Sequence, residues 1–170
     1  MISRRSFLLA GACIAISTQV NAAVQVAQAE KIVLGPQPTR VLLRPAEGVD
    51  LTARMARAAD RRFTLVLRGL ATDHQPGAVY SVFLNLPEGT KPSPDDPGFV
   101  GTLSFFGMPK ETGGTSQRAI SYEVSQAITR LQSANRLDGS LFVTIAPGRP
   151  PAADSRPTIE AVGLYEDPSG

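Results

Sequence analysis

The residues that do chemistry in most proteins are scarce in this 170-residue chain, and they stand apart. His74 is the sole histidine. It lies in a polar turn between Asp73 and Gln75, while a metal site needs several converging nitrogen, sulfur or oxygen donors. A solvated loop residue is the expectation there. Cys13, the sole cysteine, sits inside an apolar run from Phe7 to Ile16. Neither thiol catalysis nor a histidine-assisted serine nucleophile is supported by such a set. Asp95-Asp96 is a tight carboxylate pair. Paired acids serve acid–base catalysis or hold calcium, but between Pro94 and Pro97 the expected role is to accept backbone N–H bonds in a turn. Gly113-Gly114 lacks the following lysine and the strand–helix frame of a phosphate loop. No catalytic residue, metal or cofactor is therefore expected.

Phe105-Phe106-Gly107-Met108-Pro109 offers binding in place of catalysis. Phe99 to Phe105 reads as a strand with Phe99, Leu103 and Phe105 on one side and Thr102 and Ser104 on the other. Phe106 then points outward, with Met108 and Pro109 extending the apolar edge. Phe106, Met108 and Pro109 are the candidate docking residues for a partner. The competing expectation packs Phe106 and Met108 under a neighbouring loop.

The elements that position these residues are mostly strands. Tyr80 to Leu86 alternates, with Tyr80, Val82, Leu84 and Leu86 on one face and Ser81, Phe83 and Asn85 on the other. Pro87, Pro92, Pro94 and Pro97 make the connection to Phe99 a long loop. Arg62 to Gly69 is a strand with Phe63, Leu65 and Leu67 inward. Arg118 to Val124, Leu141 to Ile145 and Thr158 to Tyr165 are further strands. Lys31 to Leu34 and Arg40 to Arg44 form one broken strand or two short ones, and Gly48 to Asp60 is a surface helix or an irregular connection. Ala127, Ile128 and Leu131 mark one short helix, with Ser125 as N-cap and Asn135 ending it in a left-handed conformation. The fold class is all-β: an antiparallel sandwich or jelly-roll-like barrel of seven or eight strands.

Residues 1–22 read as a twin-arginine export signal: Ser3-Arg4-Arg5-Ser6-Phe7-Leu8, the apolar run, then small and polar residues. An ordinary secretory signal carrying two arginines is the alternative. Cleavage falls after Ala22 or after Ala29. Ala10-Gly11-Ala12-Cys13 resembles a lipoprotein site only faintly, since apolar residues continue beyond it. Residues 23–60 are a leader and N-terminal strand region, with Val24 to Glu30 a mobile leader. Residues 61–170 form the β-domain, and 31–44 contribute a strand. The formal charge of +2 arises from Arg4 and Arg5, so the remainder carries 15 basic and 15 acidic residues. Neither nucleic acid nor, after signal cleavage, a membrane is expected as partner. The expected location is the periplasm or the cell exterior.

Four blocks, Tyr80–Asn85, Phe99–Gly107, Ile120–Ile128 and Leu141–Ile145, resemble the C-terminal domain of tyrosinases and polyphenol oxidases, and the domain that closes molluscan hemocyanin functional units. The resemblance runs from about Phe63 to Tyr165; Ser81 stands where the plant enzymes commonly have aspartate. It implies a β-sandwich that lies over the binuclear copper site of a separate catalytic domain and shields it. It does not imply oxidase activity, because such a site uses six histidines. The implied function is a non-catalytic partner, shielding or chaperone-like subunit for a tyrosinase-like copper oxidase. The alternative is an independent secreted binding module for a glycan or cell-envelope ligand, although without tryptophan and with three tyrosines it has few stacking platforms. Export is expected to depend on the arginine pair. Replacing Arg4 and Arg5 together by lysine should leave precursor in the cytoplasm on fractionation, and unchanged export would point to the general secretory route.

Overall fold

The computed structural model describes residues 22–107 and 118–167. The expected antiparallel all-β architecture is present, as one eight-stranded sheet that curls until its ends nearly meet, plus a two-stranded sheet. The strands are β1 (Val24–Ala29), β2 (Ile32–Val33), β3 (Thr39–Pro45), β4 (Arg62–Arg68), β5 (Val79–Leu84), β6 (Phe99–Ser104), β7 (Ala119–Glu123), β8 (Leu141–Pro147), β9 (Thr158–Ile159) and β10 (Ala161–Asp167). The large sheet runs β6-β5-β8-β3-β1-β10-β4-β7, and β2 pairs with β9. Two helices are present: α1 (Leu51–Met55), which makes part of the 48–60 segment helical, and α2 (Ser125–Ser133), the short helix expected. Among the described residues no helix is long and apolar enough to cross a membrane.

Alternation explains most of the core. Phe63, Leu65 and Leu67 of β4 and Tyr80, Val82 and Leu84 of β5 are fully buried, as are Leu141 and Val143 of β8. Each such Leu or Phe contributes roughly 1.5–3 kcal/mol. Ala127, Ile128 and Leu131 turn the stripe of α2 onto the same core. Leu51, Met55 and Ala58 do so for the segment around α1. The Asp50 carboxylate caps α1 by accepting the Ala53 N–H at 3.0 Å. Buried Glu166 of β10 accepts Arg54 and lies 3.8 Å from Arg61.

The ends of the curled sheet meet at one tyrosine. The Tyr122 hydroxyl on β7 donates to the Thr102 carbonyl on β6 at 2.9 Å. Its ring lies over Gly101, where an added Cβ would come within 3.0 Å of the ring. Burial pushes the Tyr122 phenol up to about 12, so the donor keeps its proton through neutral and moderately alkaline pH.

Several expectations are corrected. Val24 to Glu30 is no mobile leader: β1 pairs with β10 from Val24↔Glu166 to Ala29↔Val162, and with β3 at Ala27↔Pro45 and Gln28↔Arg44. A register shift between Gln25 and Ala27 leaves both Val26 and Ala27 buried. Strands β1 and β3 thus belong to the same sheet as β4, and β2 pairs with β9. Leu86 leaves the face of Tyr80, because Asn85 takes a φ of 45° and breaks the alternation. Phe99 leaves the face of Leu103, because the register shifts between Val82 and Phe83 so that Val82↔Gly101 is followed by Phe83↔Phe99. Leu86, Phe83, Phe99 and Ala146 form a second small core on the outer face of the sheet. Ser125 is not the N-cap; it opens α2, its hydroxyl accepts the Phe63 N–H at 2.8 Å, and Val124 occupies the cap position. Thr158 to Tyr165 is two strands, broken at Glu160, whose N–H turns to the Arg68 carbonyl. Asn135 does take the expected left-handed conformation, with φ 52°.

Because β1 is the sole link between β3 and β10 in the sheet order, removing it splits the sheet between four strands and three. A chain starting at Ala23 should unfold cooperatively in a circular-dichroism melt. One starting at Glu30 should show no such transition, and matching midpoints for the two would refute the role assigned to β1.

Candidate functional site

Among the expected docking residues, the described part of the chain contains Phe106; Met108 and Pro109 lie outside the described residues, as do Gly113-Gly114 and Cys13. Strand β6 aims Leu103 inward, Ser104 outward and Phe105 inward. The Phe105 ring meets Tyr80 edge to face, with centroids 5.6 Å apart and planes at 74°. Burial raises the Tyr80 phenol above its ordinary value. Phe106 is 85% exposed, the most of any large apolar residue among the described residues. Its N–H donates to the Ser104 hydroxyl at 3.3 Å, which holds the turn just beyond the strand. Val79, opposite Ser104 in the β5–β6 ladder, is also exposed. Among the described residues, Phe106 and Val79 give this end of the sheet an apolar edge suited to being buried against another surface.

The polar candidates are occupied structurally. The His74 ring is exposed in its turn, with Nδ1 3.2 Å from the Asp154 carbonyl oxygen. Among the described residues no three His, Cys, Asp or Glu side chains are grouped to hold a metal. Asp96 accepts the Gly98 N–H at 2.8 Å, the expected turn role. It also accepts Arg136 at 3.0 Å, a partner that no local pattern announces. Arg136 reaches on to the Asn85 carbonyl, while the Asn85 side chain donates to the carbonyls of Arg136 and Ser140 and accepts the Phe142 N–H. Gly98 completes the node: its carbonyl accepts the Leu84 N–H, and an added Cβ would fall 1.9 Å from the Leu84 oxygen. Asp96→Ala should therefore cost about 1–3 kcal/mol by stranding a partly buried guanidinium. Asp95→Ala, at an exposed carboxylate, should stay within about 0.5 kcal/mol. Denaturant titration of both variants checks the difference, and equal losses would contradict it.

Comparison with known proteins agrees with this fold. Among solved structures, recombinant latent aurone synthase, a polyphenol oxidase co-crystallised with hexatungstotellurate(VI) and soaked in H2O2, is 16% identical with a TM-score of 0.51. That match covers 80% of this chain and 25% of the other. Latent aurone synthase from its natural source is 16% identical with a TM-score of 0.50, over 97% of this chain and 29% of the other. At these identities the likeness is one of fold, and this chain spans less than a third of either polyphenol oxidase chain. No curated protein matches the sequence. A family model described as a domain of unknown function, DUF7868, matches residues 14–167. With that match extending over most of its length, the chain belongs to the DUF7868 family.

Proposed function

We propose that this protein is an exported, non-catalytic partner of a tyrosinase-like binuclear copper oxidase, acting as a shielding or chaperone-like subunit. The observation that carries this reading is the asymmetry of coverage. The fold matches account for 80–97% of this chain but for only 25–29% of the polyphenol oxidase chains. A single histidine supports a role without chemistry of its own. The exposed Phe106, anchored beside buried Phe105, supports docking through this edge. Export by the twin-arginine route to the periplasm or beyond belongs to the same reading. Of the two cleavage positions, Ala22 is the one that leaves β1 intact.

The test pairs the purified protein with a tyrosinase-like oxidase deprived of its own C-terminal domain. A one-to-one complex on gel filtration, with diphenol oxidation suppressed in it, is the expected result; the protein alone should oxidise no diphenol. Losing one phenyl ring from an interface removes roughly 1.5–3 kcal/mol, so Phe106→Ala should weaken the complex about tenfold or more. Its thermal midpoint should stay close to that of the parent. Phe105→Ala should instead cost about 3–5 kcal/mol of stability. If Phe106→Ala binds as tightly as the parent, or unfolds as readily as Phe105→Ala, docking through this edge is refuted.

A further inference from the structure

The outer face of β3 carries a feature that the oxidase reading does not use. Alternate residues Arg40, Leu42 and Arg44 are exposed there. At about 3.3 Å per residue, the two guanidinium-bearing positions stand about 13 Å apart along the strand. Two concavities meet at Arg40. One, of about 460 Å³, lies between Gln37-Pro38 and the segment 86–91, with Thr144 also in its lining. The other, of about 590 Å³, continues past Leu42 to Arg44, Gln28 and Lys31.

The Arg40 guanidinium carbon lies over the Phe142 ring, 3.7 Å from its centroid. Its carboxylate neighbour Glu88 is 3.9 Å away on a side chain that is 90% exposed, a loose pairing that water screens. Stacking thus fixes the fork while leaving its donors open to a ligand. Thr144 stands opposite Arg40 in the β3–β8 ladder. It is 3% exposed, and its hydroxyl has no hydrogen-bond partner among the described residues. Lys91 adds a cation at one end of the strip and Lys31 at the other; Glu88 and Glu30 are the acids beside them.

We propose that this strip binds an acidic polysaccharide, with one sugar acid seated at Arg40 and Thr144 and the following residues running toward Arg44. A guanidinium fork takes a carboxylate in two parallel hydrogen bonds. The Gln28 and Gln37 amides and the Thr144 hydroxyl supply donors and acceptors suited to sugar hydroxyls. The length of the strip exceeds a single small anion. Nucleic acid is disfavoured, because among the described residues no aromatic side chain lines either concavity to stack a base, and the nearby Phe142 ring has Arg40 over it.

Calorimetry with a short oligogalacturonate tests this, beside a neutral cello-oligosaccharide and polyphosphate. Saturable binding to the oligogalacturonate that weakens with added salt is expected, with the neutral chain not binding. Arg40→Met should weaken binding about tenfold or more. Arg44→Met, at an exposed position, should weaken it less without changing the melting curve. Thr144→Val should reduce affinity while leaving stability equal or higher, because it removes a buried, unpaired hydroxyl. Arg62→Met, on a strand three places away in the sheet, should change nothing. No binding of oligogalacturonate, equal binding of the neutral chain, equal or tighter binding of polyphosphate, or an equal loss from Arg62→Met would each overturn the proposal. None of these outcomes bears on Phe106 or on the oxidase complex.

Discussion

The Pro-rich segment between β5 and β6 lies back along the sheet because Asn85 turns it there. A φ of 45° is costly for most side chains, but asparagine tolerates it. Here the amide also completes three hydrogen bonds with the segment from Arg136 to Phe142. Arg136 answers by bonding the Asn85 carbonyl and the Asp96 carboxylate, so both ends of the loop are tied to the turn before β8. Under that tie Phe83, Leu86 and Ala146 lose contact with water, and Phe99 packs half-buried against them. The burial of these four groups stabilises the loop, and the polar node sets where it lies. Arg130 of α2 adds two bonds to the carbonyls of Pro97 and Phe99, joining helix to loop as well.

That arrangement explains which parts of the fold are legible in the sequence. Strand β4 keeps strict alternation from end to end, and its buried residues are those that a period of two selects; in β8 the inward Leu141, Val143 and Ile145 follow the same period, but Thr144 and Ala146 are buried on the other face. The misread residues all sit where the period is interrupted. Leu86 follows a left-handed asparagine, Phe99 follows a shift in register, and Val26 and Ala27 flank another. Strand β1, Val-Gln-Val-Ala-Gln-Ala, carries little apolar mass, and its extended state is dictated by ladders on both sides. Ser125 has the residue type of a helix cap, but its hydroxyl is engaged by the Phe63 amide across the sheet end.

The same distinction runs through the site. The outward position of Phe106 follows from two residues of local alternation, so the sequence alone reveals it. The partnership of Asp96 with Arg136 spans 40 residues, with α2 lying between them in the chain. The strip on β3 is visible as Arg40, Leu42 and Arg44 on one face, but its floor and wall come from β8 and the loop after β5. Two surfaces result, one apolar at the end of β6 and one cationic along β3, and they make different physical demands on whatever meets them. The first needs a dry, shape-matched partner. The second needs an extended anion.

The pairing of β1 with β10 has a consequence for the order in which the molecule comes into being. Residues 24–29 are made early, yet their longest ladder is to residues 162–166. A nascent chain can pair β1 with β3 early, at Ala27↔Pro45 and Gln28↔Arg44, but the other flank of β1 has no template until nearly all of the domain has been synthesised. Contacts of such sequence separation close slowly, because a long loop must be ordered first. The sheet can therefore be completed only once β10 has been made.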